Sequence, residues 1–330
     1  VNLLYLSDAD VASLVTVGEA LPLVEEAFAS LAEGRAQMPP KMYLDFKEFG
    51  GDLRAMPAYL PKVAGAGGRG YAGVKVVNSH PGNPARGLPT VAGVFVLNDP
   101  ETGMPLVVMA AGRLTDIRTG AAGGAAAKHL ARKSVSTVGF VGCGRQAAAQ
   151  WEALSVLFQV REARVAGRTP EEARAFADRN QRPGGAAFRP VGVEEACGSD
   201  IVVTATPGRT VVVQDGWIRP GTHVNAIGAD APGKQELDPV LLKKARVFVD
   251  SPEQAFHSGE VNVGLSSGAL KPRDIAGSLG EVITGRIPGR QSDADITLFD
   301  STGLAVQDVA VAAFIYRRAL EFHRGTTLPL

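Results

Sequence analysis

The sequence predicts an α/β protein: a parallel sheet covered on both faces in its second part, preceded by a mostly antiparallel sheet. Two observations carry this. From residue 136 strands and helices alternate: STVGFVGCGRQ reads as a strand and glycine turn, AAAQWEALSVLF as a helix, EARVAGR as a strand and TPEEARAFADR as a helix. DIVVTATP, THVNAIGAD and ARVFVD follow as further strands, and such alternation argues for parallel strands. Between Lys41 and Val108 the runs are short and strand-like (KMYLDF, LRAMPAY, YAGVKVV, TVAGVFVLND, MPLVVM), separated by proline and glycine turns such as HPGNP and NDPETG. Turns of that kind join antiparallel neighbours. A length of 330 residues fits about two domains.

In chain order, Ser7-Asp8-Ala9-Asp10 and Thr16-Val17-Gly18-Glu19 both match the helix-start pattern in which a hydroxyl and an acid three residues on cap each other's backbone N–H. From Thr16 the apolar residues Ala20, Val24, Ala27, Phe28 and Leu31 recur at three- and four-residue steps, giving one buried helix face that Gly34 can terminate. Residues 115–132 predict a helix of small residues able to pack closely. The last helix, GLAVQDVAVAAFIYRRALEF, is expected to return to the first domain. The domains expected are 1–116, 117–305, and a C-terminal helix over 306–330.

Composition narrows the function. Hydrophobic residues make up 45% and charged residues 21%, enough for a packed core. Lysine plus arginine balances aspartate plus glutamate at 34 each, so there is no electrostatic case for nucleic acid or a membrane surface. No apolar run approaches the ~18 residues of a membrane span. The N-terminus is acidic where a signal peptide is basic, and Cys143 and Cys197 have no C-x-x-C or metal-ligand spacing. A cytoplasmic protein is expected. His80, His129, His223, His257 and His323 do not cluster, and neither G-x-S-x-G nor H-E-x-x-H occurs. Metal and acyl-transfer mechanisms have no support.

The strongest local motif is Gly142-Cys143-Gly144-Arg145-Gln146-Ala147, a G-x-G-x-x-A between the apolar strand TVGFV and a helix. That is the context of a dinucleotide fingerprint: Gly142 for the tight turn, Gly144 for backbone approach to the pyrophosphate, Ala147 for helix–strand packing. The helix N-terminus supplies N–H groups and a positive dipole end. Cys143, with no histidine to activate it, reads as a small buried residue. At the end of the second strand stands Arg168, followed by Thr169, where a carboxylate would bind the ribose hydroxyl of NAD. An arginine suits the 2′-phosphate of NADP instead, so NADP(H) is favoured over NAD(H). Thr204-Ala205-Thr206 ends the next strand, at the edge where such sheets bind ligands.

Three cations and one acid have unusual settings. Lys75 lies among β-branched residues in YAGVKVVN, where a strand lysine is ordinarily an edge or snorkelling residue. Arg54 and Arg118, read singly, are ordinary surface ion-pair residues. Asp230 stands alone after the apolar run THVNAIGA, where an acid is ordinarily a cap or a turn residue.

Together the motifs GVKVVNSHPGNP, GLPTVAGVFVLNDPETGMPL, LTDIRTGAA, VGFVGCGRQA, NAIGADAPGKQEL, GSLGEVITG and LFDSTGLAVQDVA resemble the ornithine cyclodeaminase and mu-crystallin family, which includes archaeal-type alanine dehydrogenases and ketimine reductases. The resemblance spans nearly the whole chain. It implies a Rossmann dinucleotide-binding domain joined to an α+β substrate and dimerisation domain built from both chain ends, and a homodimer. It further implies that Lys75 and Arg118 hold a substrate carboxylate, that Asp230 handles protons at the amino or imine nitrogen, and that Ser301-Thr302-Gly303 lies beside the nicotinamide. A positioned carboxylate of that kind contributes typically about 10²–10⁴-fold in rate, and Lys75 is expected to share the work. Thr119, Arg145, Gln146, Thr169 and Ile227 complete the expected cofactor contacts.

Two departures bear on the substrate. Cyclodeaminases of the family carry a glutamate just before the Met-Pro pair, and this sequence has Leu53-Arg54-Ala55 before Met56-Pro57. An arginine there favours a second carboxylate contact and repels a side-chain ammonium. Ala231 follows Asp230 where cyclodeaminases usually have cysteine. Both point to the alanine dehydrogenase branch, with a small 2-amino or 2-imino acid as substrate. Arg168 is more usual among ketimine reductases. Ketimine reduction, cyclodeamination and a mu-crystallin-like ligand-binding role remain the alternatives.

Overall fold

The computed structural model describes residues 2–330. The chain divides into two compact units, one taking the residues up to Arg118 together with Leu304–Leu330, the other Thr119–Gly303. The first stretch runs β1 (Asn2–Leu6), α1 (Asp8–Leu14), α2 (Val17–Ala32), β2 (Met42–Phe46), β3 (Gly51–Leu60), β4 (Tyr71–Ser79), β5 (Val91–Asn98), β6 (Pro105–Ala110) and α3 (Ala111–Leu130). Both expected capping boxes form: Ser7 with Asp10 opens α1, and Thr16 with Glu19 opens α2. α3 starts four residues earlier than the small-residue pattern suggests, directly out of β6.

The second unit contains β7 (Thr137–Val141), α4 (Arg145–Leu157), β8 (Glu162–Ala166), α5 (Pro170–Asn180), β9 (Ala187–Pro190), α6 (Val193–Cys197), β10 (Ile201–Thr204), β11 (His223–Ala226), α7 (Pro239–Lys244), β12 (Arg246–Val249), α8 (Pro252–Ser258), α9 (Val261–Ser266), β13 (Ile275–Ser278), α10 (Leu279–Ile283) and β14 (Thr297–Asp300). Its eight strands lie in the order β13-β12-β14-β11-β10-β7-β8-β9, every neighbouring pair parallel. Every residue of β10, β11 and β14 is buried, as a sheet covered on both faces requires. Strand order reverses between β7 and β10, the switch point at which open α/β sheets bind ligands beyond the carboxyl ends. Burial holds the pKa of His223 down to about 3, and its two ring nitrogens face Thr297 and Asn225 at 3.0 Å each.

α11 (Ala305–Glu321) and β15 (Thr326–Pro329) complete the first unit. Its seven-stranded sheet has the order β15-β1-β6-β5-β4-β3-β2, antiparallel except where β1 meets β6. α11 packs on α2 and across β3, β4 and β5, covering one sheet face that carries Met56, Lys75, Phe95 and Met109 in register. No helix among the described residues is long and apolar enough to cross a membrane.

Candidate active site

Strand alternation alone would send Lys75 to whichever face of β4 its neighbours choose, and the register puts it inward, opposite Met56 and Phe95. It is 2% exposed. An ammonium so placed needs a counter-charge, and the helix crossing that face supplies one: Asp308 on α11, wholly buried. Lys75 Nζ lies 2.9 Å from Asp308 Oδ2 and 3.1 Å from Oδ1. Arg118 on α3 donates from Nε to Asp308 Oδ1 at 3.1 Å and from Nη1 to Gln307 Oε1 at 3.2 Å. Thr115 Oγ1 stands 3.4 Å from Lys75 Nζ. Two cations therefore share one carboxylate. Burial, then the Arg118 charge, draw Lys75 down to about 7, against the pull of Asp308 in the other direction.

Arg54 is on the same face of β3, one diagonal step from Lys75 because Met56 pairs with Lys75 and Arg54 with Val77. Its guanidinium meets Asp52 through both Nε (3.0 Å) and Nη2 (2.9 Å) and lies over the Tyr43 ring.

In the second unit the glycine turn fits a dinucleotide. Gly142 has φ +102°, and a Cβ there would lie 2.5 Å from the Ala205 carbonyl oxygen, so only glycine closes this turn. Gly144 is the N-cap of α4, and a Cβ added to it would meet no protein atom within 4 Å. The space above Gly144 is open, so a phosphate could approach the N-terminal end of α4, the positive end of its dipole. Ala147 is fully buried, while Arg145 and Gln146 open the helix. Burial, then Glu172, raise the Cys143 thiol above its ordinary range, which disfavours a nucleophile. Arg168 follows the end of β8, is 84% exposed, and pairs with Glu172 at 2.5 Å. The hydroxyl of Thr169 caps α5 by accepting from Glu172 N–H at 3.3 Å.

Asp230 does not end the strand that precedes it. β11 stops at Ala226, because the Gly228 N–H goes to the Glu236 carboxylate (2.9 Å) instead of a neighbouring strand. Asp230 stands on the loop beyond, Oδ1 2.5 Å from Lys234 Nζ. Thr204 is wholly buried and its hydroxyl donates to Glu236 Oε2 at 2.8 Å. Thr302 is likewise enclosed: its N–H and that of Gly303 donate to Asp250 Oδ2 at 2.6 and 2.7 Å, and Gln254 Nε2 donates to its hydroxyl at 2.7 Å. Thr119 offers its carbonyl to Gln150 Nε2 at 2.8 Å. Ile227 and Ser301 are buried, and Ala205 and Thr206 half-buried.

The sequence model of the ornithine cyclodeaminase/mu-crystallin family matches residues 2–323. The chain belongs to this family. It is 52% identical to an alanine dehydrogenase of Archaeoglobus fulgidus over 326 residues, covering 98% of each. Among solved structures it is similar to an archaeal alanine dehydrogenase dimer with bound NAD (TM-score 0.95, 50% identity, all of both chains). It is also similar to the Δ1-pyrroline-2-carboxylate reductase of Thermococcus litoralis in complex with NADH and L-proline (TM-score 0.93, 35% identity, 98% of this chain and 99% of that one).

Within this family member the structure adds residues that the sequence reading did not single out: Asp308 and Gln307 behind Lys75 and Arg118, Glu236 behind Thr204 and Gly228, and Asp250 behind Thr302. All four are buried acids or amides whose partners lie far away in sequence or arrive through backbone N–H groups. Only QDVA and KQEL, a polar residue inside an otherwise apolar helix register and an acid closing a glycine loop, hinted at them.

Proposed function

We propose that the chain is an NAD(P)-dependent alanine dehydrogenase, converting L-alanine and water to pyruvate and ammonium, reversibly. One hydride goes to the nicotinamide and one proton is released. The observation that carries this reading is the Lys75–Asp308–Arg118 cluster: with Lys75 protonated it holds two positive charges against one negative, in a buried setting where an unmatched cation is costly. A small monocarboxylate neutralises it, and Arg118 presents a planar fork suited to that group.

When bound, the nicotinamide supplies the hydride acceptor or donor. The remaining tasks fall to side chains. Lys75 and Arg118 fix the substrate carboxylate, with Arg54 beside them. Asp230 takes the proton that the amino group loses and passes it to solvent, then takes one from the water that attacks the imine and returns it to the departing nitrogen. Lys75, titrating near neutrality, carries a second exchangeable proton. Gly142, Gly144 and the start of α4 would hold the pyrophosphate of a bound cofactor. Cyclodeamination is disfavoured because Arg54, not an acid, precedes Met56-Pro57. Reduction of a cyclic ketimine uses the same carboxylate grip with a preformed imine, and the 35% identity to a pyrroline-2-carboxylate reductase favours it as the second reading.

Absorbance of the reduced cofactor tests this. Oxidation requiring both pyruvate and ammonium is expected. Oxidation only with pyrroline-2-carboxylate overturns the alanine reading in favour of ketimine reduction. No oxidation with either, cofactor still binding, leaves cyclodeamination or a ligand-binding role.

For the cofactor, NADP(H) is favoured over NAD(H), supported by the exposed Arg168 at the end of β8; the solved archaeal relative carries NAD. Arg168→Asp is expected to shift the NADPH-to-NADH ratio of kcat/KM at least tenfold towards NADH, by removing a charge-assisted phosphate contact. An unchanged ratio overturns the assignment.

A homodimer is supported by the sheet face of the first unit that α11 leaves uncovered. It carries Val74, Val76 and Pro57 in register with Val94, and Met42 and Leu44 extend it, 64% and 56% exposed. Contiguous apolar patches of this kind mark association surfaces. Val94→Asp, at a position 41% exposed and so tolerant of change, is expected to halve the mass measured by light scattering. A wild-type protein already monomeric contradicts the dimer.

A further inference from the structure

Glu236 is an odd residue to find wholly buried. Burial pushes its pKa up, while hydrogen bonds from the Thr206 and Gly228 main chain and the Thr204 hydroxyl oppose the rise. Its Oε1 accepts from Thr206 N–H at 2.6 Å. Its Oε2 accepts from the Thr204 hydroxyl at 2.8 Å and from Gly228 N–H at 2.9 Å. All three donors lie at the carboxyl ends of β10 and β11, next to the switch point, on the two segments that carry Ala205, Ile227 and Asp230. The backbone makes room for this carboxylate: a Cβ on Gly228 would lie 2.4 Å from Glu236 Oε2.

Glu236 is itself anchored. Its N–H donates to both Glu260 oxygens (2.9 and 3.0 Å), and Leu237 N–H to Glu260 Oε1 at 2.7 Å. Glu260 N–H in turn donates to Asp300 Oδ1 (2.9 Å) at the end of β14, with Val261 N–H on Oδ2 (3.1 Å). Here too a glycine is required, since a Cβ on Gly259 would lie 2.4 Å from Asp300 Oδ2. Each acid thus holds the main chain of the next, stepping from β14 to the loops after β10 and β11. Three buried acids are an expensive way to tie loops that ordinary turns could close. Local structure kept at such a cost concentrates at functional sites.

We propose that Glu236 is a positioning residue for the reaction: its carboxylate fixes the loop after β10 for the cofactor and the loop after β11 for Asp230, and Glu260 and Asp300 hold it in place. This rests on the nicotinamide reading above. In Glu236→Gln the amide nitrogen must face a backbone N–H, that of Thr206 in one orientation or of Gly228 in the other, while the Thr204 hydroxyl can turn to accept, so the grip on one loop is lost. Gln also keeps the volume of the side chain.

The test uses the full-length protein and compares cofactor dissociation, from reduced-nicotinamide fluorescence, with kcat, KM for pyruvate, and the thermal midpoint. The expected result for Glu236→Gln is a tenfold or greater rise in cofactor Kd and a tenfold or greater fall in kcat at saturating cofactor. KM for pyruvate, which depends on Lys75 and Arg118, is expected to stay within twofold. Cofactor Kd and kcat both at wild-type values overturn the proposal. So does a loss of activity that disappears on cooling in step with a lowered thermal midpoint, since a purely structural role behaves that way. If Glu236→Gln does not fold, Thr204→Val decides: it removes one bond to Glu236 at constant volume, Thr204→Ser restores it, and a threefold rise in cofactor Kd in Val but not Ser supports the proposal. Equal values in the two overturn it. Wild-type protein that binds neither nicotinamide cofactor defeats the underlying reading instead.

Discussion

Lys75→Ala is expected to lower kcat/KM for pyruvate and ammonium by roughly 10²–10⁴-fold. Losing one partner of a desolvated, hydrogen-bonded charge contact to a ligand costs about 2–5 kcal/mol of binding, and each 1.4 kcal/mol is about tenfold in rate. The protein is expected to fold, because Asp308 keeps Arg118 at 3.1 Å. The loss divides between KM, through the carboxylate contact, and kcat, through the mobile proton. A distinct pH signature accompanies it. Free Lys75 titrates at about 7, and a bound carboxylate raises that value. Below 7 the ammonium is already formed and binding needs no proton. Above 7 each binding event takes one up, so wild-type affinity for a carboxylate inhibitor such as oxamate falls by about tenfold per pH unit until the pKa of the complex is reached. Lys75→Ala is expected to show flat affinity across that window. A variant with wild-type kcat/KM contradicts the assignment of Lys75.

The second large effect is at Asp230. Asp230→Asn keeps shape and hydrogen-bonding reach but cannot take a proton, and kcat is expected to fall about 10²–10⁴-fold. Cofactor Kd is expected to stay unchanged, because Gly228 and Thr206 remain fixed by Glu236. Lys234 pairs with Asp230 at 2.5 Å and so orients the carboxylate on its loop. Single-turnover absorbance after mixing with saturating substrates reads the chemical step directly. A kcat within a factor of three of wild type removes Asp230 from proton transfer.

What the sequence revealed and what it hid follow from range. The two capping boxes and the glycine turn are local, each decided within four to six residues, and they form where the sequence places them. The parallel and antiparallel sheets were legible from strand spacing and turn residues. β1 and β15 were missed: they are strands because β1 pairs with β6 on one side and β15 on the other, partners distant in sequence that no local pattern records. Lys75 was visible as a misplaced charge, but its partner Asp308 is 233 residues away and sits in a helix whose periodicity reads as plain core. Arg54 reads as an ordinary ion-pair residue, but its partner, Asp52 on the same face two residues back, is identified only by the structure. Glu236 is only hinted at, by an acid that closes a glycine loop, because two of its three donors are backbone N–H groups, which carry no side-chain signature.

The central claim is hydride transfer between the nicotinamide and the carbon that bears nitrogen. The most direct measurement is to run the reductive reaction with cofactor deuterated at both C4 positions, pyruvate and ammonium, and to locate the label by mass spectrometry and proton NMR. L-alanine carrying one deuterium at Cα is the expected product. Oxidised cofactor with unlabelled alanine, or with no alanine formed, would contradict it.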